Sequence, residues 1–403
     1  MQMNRLPLAQ YGITQAYVDT FLYSHDFSPA PATEYIVLPG LCDVHVHFRE
    51  PGFSYKETIA SGSSSAAHGG YTAVCTMPNL MPAPDCFNGL SVQLTAIEKD
   101  GRLRIVPYGT ITVGSQGTFL SHMEELAPYV CAFSDDGQGV QSEEMMKQAM
   151  LRAKSLGKMI VAHCEDTALR NGGYIHDGHY AKVHAHRAIS SASEFAQLER
   201  DLALVRKTGC RYHACHISTK ESVALVRAAK QEGLDVSCET APHYLLLCEE
   251  DLQDEGRFKM NPPLRTKQDR SALIDGILDG TIDMIATDHA PHTDAEKARG
   301  LADSAMGIVG LECAFAVLYT ELVRSGILSL EKLIDLMSVR PRKRFGIDTK
   351  QDFTVFDVGV PYTIDPDNFL SMGHATPFAG MRVFGKCLLT VARGKIIYRE
   401  ANV

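Results

Sequence analysis

From residue 35 onward the chain alternates between short apolar runs and longer stretches of helical periodicity, and this alternation restricts the fold more than any other feature. Apolar, β-branched runs lie at 71–77 (YTAVCTM), 104–111 (RIVPYGTI), 130–134 (VCAFS), 159–164 (MIVAHC), 211–217 (RYHACHI), 234–240 (LDVSCET) and 283–288 (DMIATD). Helical patterns occupy 57–68, 89–99, 141–157, 192–207, 219–232 and 268–279. The run from Tyr35 to Leu41, broken only by Pro39 and Gly40, feeds a further buried strand at LCDVHVHFREPG, residues 41–52. That makes eight strands, most followed by a crossover long enough for a helix, as parallel strands require. The expectation is an α/β fold, a (β/α)8 TIM-type barrel over residues 35–345. A doubly wound sheet competes, but no Gly-rich phosphate fingerprint follows any strand.

After Pro341 the helical patterns stop. Residues 352–358 (DFTVFDV), 383–391 (VFGKCLLTV) and 395–398 (KIIY) read as strands of a small β domain at 346–403, built largely from this C-terminal segment. Residues 1–34 are weakly patterned and would supply part of the same small domain. Gln10 to Tyr23 suits a helix or a strand equally, and Phe27 to Thr33 reads as a linker.

Composition matters chiefly for what it excludes. A formal net charge of −9 argues against nucleic acid or an anionic membrane as partner. No apolar run reaches transmembrane length, and MQMNRLPLAQ lacks the layout of a signal peptide. The eleven cysteines are scattered without a C-x-x-C pair, which reads as reduced, mostly buried thiols of a cytoplasmic enzyme.

Chemistry in a barrel of this type sits at the C-terminal ends of the strands. In a strand Asp43, His45 and His47 share one face, and two imidazoles so spaced can chelate one divalent metal. Alone, an H-x-H pair is more often incidental than metal-binding. Here, however, strand four ends in Ser134-Asp135-Asp136-Gly137, strand five in His163-Cys164-Glu165-Asp166, strand six in His216, and strand eight in Thr287-Asp288-His289-Ala290-Pro291-His292. Metal-competent residues therefore recur on one rim. Four histidines and two carboxylates suit one or two zinc ions (Zn2+). A metal pair needs an anionic bridge, and CAFSDDG offers Asp136, with Asp135 in reserve. A bound metal lowers the pKa of water to about 7. Asp288 would take that water's proton and deliver it to a leaving nitrogen.

Other residues have plainer readings beside the functional one. Arg49, on the rim beside two ligands, suits bidentate capture of a substrate carboxylate better than a surface ion pair. Asn79 either caps the next helix or recognises that carboxylate. Asn261 in NPPLR can simply shape a turn. His176, His179, His184 and His186 lie in a polar loop and read as solvated; His68 and His122 read as structural residues on helices. His213, out of phase with His216, is expected to face the helical layer.

HVHFREPGFSYKE, TMPN, SDDG, AHCED, HIST, NPPLR, ATDHAPH and GIVGLE, in this order, resemble the dihydroorotases, specifically the class I branch of the amidohydrolase superfamily. The match runs from about Leu38 to the C-terminus, and F-R-E-P-G separates this branch from hydantoinases. The resemblance implies reversible interconversion of L-dihydroorotate and N-carbamoyl-L-aspartate in de novo pyrimidine biosynthesis. It implies His45, His47, Asp136, His163, His216 and Asp288 around zinc. It places Arg49, Asn79 and His292 on the substrate carboxylate, His47 also against substrate, and Asn261 near the ring. The backbone at Met306-Gly307 would close over the pyrimidine. A homodimer, or a complex with aspartate transcarbamoylase, is implied as the assembly. Two departures stand out: only 34 residues precede the barrel where relatives carry a longer set of strands, and Ser304-Ala305-Met306-Gly307 replaces a common Pro-Phe-Gly.

Two other functions compete. An allantoinase or dihydropyrimidinase would share the metal site, but its substrates carry no carboxylate to match Arg49. A silent dihydroorotase-like subunit scaffolding aspartate transcarbamoylase would be expected to have lost ligands, and every ligand is present.

Overall fold

The first apolar run divides at Gly40 into two strands that serve different sheets. In the computed structural model, which describes residues 8–27, 34–348 and 351–401, Tyr35–Pro39 pairs antiparallel with Phe353–Asp357. Leu41–Val46 instead pairs parallel with Tyr71–Thr76. The crossing needs glycine, because a Cβ at Gly40 would run into the Thr72 side chain. The Gly40 carbonyl accepts from Ser338 Oγ at 2.8 Å and from the buried Arg342 guanidinium at 3.1 Å, which seals the floor of the barrel.

Two parallel ladders make up the barrel wall. One holds Leu41–Val46, Tyr71–Thr76 and Arg104–Pro107; the other holds Met159–Ala162, Arg211–Ala214, Val236–Thr240 and Met284–Ile285. At one joint Phe133 bridges in parallel to Gly109 on one side and Ile160 on the other. At the other, Val46 bridges to His289, and the His47 N–H donates to the His289 carbonyl at 2.8 Å. The ring so closed is the (β/α)8 barrel. Its fourth strand, expected over 130–134, pairs on both sides only at Phe133. The chain turns away at once because the buried Asp135 carboxylate accepts from the Ile111 and Thr112 amides and from the Thr112 hydroxyl.

Alternate strand residues, among them Val44, Cys75, Tyr108, Ala132, Val161 and Met284, fill the barrel interior, and Phe345 and Ile347 close its lower end. The crossover helices Ile59–His68, Phe87–Asp100, Glu143–Ser155, Ala192–Thr208, Lys220–Gln231 and Lys267–Leu278 pack outside. Four of them start on a Thr or Ser whose side chain accepts an amide of the first turn: Thr58, Ser142, Thr219 and Thr266.

The small sheet has the order Tyr35–Pro39, Phe353–Asp357, Lys386–Ala392, Lys395–Arg399. Of the two readings for Gln10 to Tyr23, the helix holds: Gln15–Ser24 is capped by Thr14. Its Val18, Phe21 and Leu22 pack with Val37, Phe353, Val355 and Val391 into a core of their own. The linker expected at 27–33 lies, beyond Phe27, outside the described residues. Among the described residues no helix is long and apolar enough to cross a membrane.

Candidate metal centre and substrate cleft

The six residues expected as ligands meet at the C-terminal rim of the barrel, and all six are buried. His45 lies on its strand, and His47 follows immediately after the strand's last residue. The Asp43 carboxylate staples the first strand to the eighth by accepting the His45 amide at 2.9 Å and the Thr287 amide at 3.0 Å. His216 and Asp288 adopt positive φ (32° and 49°), as does Arg49 (59°). Three non-glycine residues in this region at one site mark backbone held in place by its surroundings.

The cluster has two lobes. In one, His47 Nε2 lies 3.1 Å and His45 Nε2 3.4 Å from Asp288 Oδ1. In the other, His163 Nδ1 and His216 Nε2 are 3.0 Å apart, and each is 3.7 Å from Asp136 Oδ1. Asp136 stands between them, its Oδ1 3.4 Å from His45 Nε2 and its Oδ2 3.5 Å from His47 Nε2. His45, His47 and Asp288 form one set able to hold a metal ion, and His45, Asp136 and His216 another. His45 Nε2 and Asp136 Oδ1 are buried with no hydrogen-bond partner among the described residues. Buried polar atoms left without partners are costly. Aimed at one point, these atoms suit a cation.

The electrostatics agree. Burial opposes ionisation of Asp136 and Asp288, yet the neighbouring imidazoles, His45 foremost, hold both carboxyls well below the usual range. Burial likewise disfavours the His45 imidazolium, but Asp136 and Asp288 lift its pKa well above that of an ordinary histidine. The site therefore attracts positive charge.

Beside the ligands opens a cleft of about 310 Å³ walled by Arg49, Asn79, Arg170, Asn261, Met306 and Gly307. Arg49 is braced by the Pro291 carbonyl, to which its Nε donates at 3.2 Å. The Asn79 amide donates to the Asp136 carbonyl at 2.6 Å and approaches Asp136 Oδ2 at 3.3 Å. Cys86, not Asn79, precedes the next helix. Asn261 donates to Glu165 Oε1 at 3.0 Å. His292 stands behind the cleft wall. Its Nδ1 is 3.1 Å from Lys56 Nζ and its Nε2 2.8 Å from the Met306 carbonyl. Burial, then Arg49 and Lys56, push its pKa down to about 3, so the ring is neutral and donates from Nε2. Of the two adjacent aspartates, only Asp136 faces the cluster; the Asp135 carboxylate is occupied by residues 111 and 112.

Two histidines differ from expectation. His213 faces the barrel interior, not the helical layer, because the backbone kink at His216 breaks strand parity between them. His176 is buried against Arg265 instead of solvated, and burial lowers its pKa to about 4. Residues with no role in the sequence reading also belong to the site. Glu239 accepts from His45 Nδ1 at 2.7 Å and from His213 Nε2 at 2.9 Å, so it orients a candidate ligand from behind. Arg170 reaches Glu165 at 3.2 Å. A charged residue inside the apolar strand run LDVSCET was the available signal for Glu239, since a buried carboxylate demands partners.

The family described as Dihydro-orotase-like matches residues 34–222. A dihydroorotase from Fusobacterium nucleatum subsp. nucleatum is 50% identical over 370 residues, covering 90% of this chain and 87% of that protein. A dihydroorotase from Geobacillus sp. (strain WCH70) is 48% identical over 376 residues, covering 91% of this chain and 88% of its own length. Among solved structures, an L-hydantoinase (dihydropyrimidinase) from Arthrobacter aurescens matches with a TM-score of 0.80 at 25% identity, over 92% of this chain and 86% of that one.

Proposed function

This chain belongs to the dihydroorotase family of cyclic amide hydrolases, and on that footing we propose that it is a class I, zinc-dependent enzyme interconverting L-dihydroorotate and N-carbamoyl-L-aspartate. The observation that carries the reading is the placement of a braced, half-buried guanidinium, Arg49, in the same cleft as the paired candidate metal lobes. A cyclic amide bearing a carboxylate needs both at once.

In this reading His45, His47 and Asp288 would hold one zinc, and His163 and His216 would hold a second, with Asp136 placed between the two sets. Such ions supply Lewis-acid polarisation of a carbonyl and a lowered pKa for water. The protein's own residues do the rest. Arg49 fixes the substrate carboxylate as a bidentate donor, with Asn79 beside it and His292 bracing from behind. Asn261 and the backbone at Met306-Gly307 flank the ring. Asp288, at the cleft edge, removes a proton from the attacking water. As the ring C–N bond breaks, the same carboxyl passes that proton to the departing nitrogen. Ring closure runs these transfers backwards.

A hydantoinase-like activity has the structural neighbours in its favour, but its substrates leave Arg49 without a partner. The test is zinc content of the purified protein measured with its rate of dihydroorotate hydrolysis. Stoichiometric zinc with chelator-sensitive turnover supports the proposal. Zinc with turnover of hydantoins or dihydropyrimidines alone would overturn the substrate, and absence of bound metal would overturn the site.

A further inference from the structure

The cleft wall at Ala305–Gly307 is held by a buried ammonium. Lys297 ends the short helix Asp294–Lys297 that directly follows the His292 segment, and it is only 7% exposed. Its Nζ donates to three backbone carbonyls: Lys259 at 3.0 Å, Ala305 at 2.8 Å and Gly307 at 2.6 Å. The Lys259 carbonyl also accepts the Gly307 amide at 3.1 Å, so two loops meet at one charge. Between the two clasped carbonyls, that of Met306 points the other way and accepts from His292 Nε2. Gly307 has φ of 133°, and a Cβ there would collide with the Ala290 carbonyl. Burial, and after it the charge of Lys259, lower the Lys297 pKa, with Glu296 opposing, but three carbonyl acceptors can be met together only by the three N–H donors of the protonated amine. A buried ammonium is tolerable only when its donors are met, and three carbonyls meet them.

We propose that Lys297 is a positioning residue for substrate binding: its ammonium sets the Ala305–Gly307 backbone against the cleft and thereby fixes His292 behind Arg49. The inference rests on the dihydroorotase reading of the cleft and deepens it. Because the clasp grips carbonyl oxygens, its hold on the wall does not depend on which side chains occupy 305 and 306. Lys297 touches no candidate ligand, so its loss should spare the chemical step.

The test compares wild type, Lys297→Met and Lys297→Ala, each zinc-loaded, with propylammonium chloride added to supply the three carbons and amine that Lys297→Ala removes. Loss of charge-assisted bonds of this kind corresponds to roughly a 10- to 100-fold change in an equilibrium constant. The expected result is a KM for dihydroorotate raised by about that factor, kcat within about threefold of wild type and unchanged zinc content. Propylammonium should restore KM in Lys297→Ala and not in Lys297→Met. Amide exchange at 305–308 should accelerate in both variants and slow again in Lys297→Ala with propylammonium. KM within twofold of wild type in both variants would overturn the proposal, as would a joint fall of kcat and zinc content that propylammonium leaves unrepaired. If wild type turns over no dihydroorotate, the substrate reading fails by itself, and unchanged exchange at 305–308 would separately overturn the clasp.

Discussion

Glu239 offers the sharpest test of how the candidate metal site is organised, because it bonds His45 from behind and does not line the cleft. Its carboxylate accepts from two buried imidazoles, at 2.7 Å from His45 and 2.9 Å from His213. In Glu239→Gln the amide oxygen still accepts from His45. The amide nitrogen then faces His213 Nε2, and His213 can change tautomer because its Nδ1 lies 2.8 Å from Ser237 Oγ, which can accept. The substitution thus removes charge while keeping every polar atom paired. Removal of such an outer partner weakens metal binding about 10- to 100-fold, equivalent to about 1.4–2.7 kcal/mol. Glu239→Ala differs, since it strands two buried N–H groups at about 1–3 kcal/mol each and adds a cavity. The assay is zinc affinity by competition with a chromophoric chelator, together with kcat at saturating zinc and the melting temperature of the apo protein. The expected order is a modest zinc defect with near-normal melting for Glu239→Gln, and a melting defect on top of the zinc defect for Glu239→Ala. Unchanged zinc affinity in Glu239→Gln would refute the view that Glu239 sets the basicity and orientation of His45.

Further expectations follow from the same geometry. Asp288→Asn should lower kcat by ~10²–10⁴, the usual worth of general acid–base help, while zinc retained by the other ligands shows in elemental analysis. Arg49→Met should raise KM for dihydroorotate roughly 10- to 100-fold, the loss of charge-assisted bonds to a carboxylate; a KM close to wild type would contradict the carboxylate role. Asp136→Asn should lose zinc whereas Asp135→Asn should keep it and melt at a lower temperature, because only Asp136 faces the imidazoles and Asp135 tethers residues 111–112. Phe21→Ala, costing ~3–5 kcal/mol as a buried aromatic truncation, should free helix Gln15–Ser24 to proteases while turnover persists, since that helix packs on the small sheet and not on the cleft.

The ligand rim was legible in one dimension because a parallel barrel turns strand order into proximity: residues at strand C-termini share a rim however far apart they lie in the chain. His45, His47, His163, His216 and Asp288 could be placed in this way. So could Arg49 and Met306-Gly307, once the motifs were set beside a known family. Where parity or adjacency had to decide, sequence was mute. Asp135 and Asp136 are neighbours at a turn; the family resemblance favoured Asp136, but the physical reason, the amides of residues 111 and 112 that occupy Asp135, appears only in the fold. His213 and His216 share the interior because a positive φ at His216 cancels the alternation that their spacing implies. Gln10 to Tyr23 is too short a pattern to select its own secondary structure, and the apolar face of the small sheet makes the choice.

What the sequence determined by itself, then, is the fold class, the family and the identity of the metal-competent residues, each a matter of pattern along the chain. Tertiary structure alone decided which groups stand behind them. Glu239 meets His45 across 194 residues and Lys297 meets Lys259 across 38. Buried charge has no periodicity to read; its meaning lies wholly in the partners that folding brings within hydrogen-bond reach.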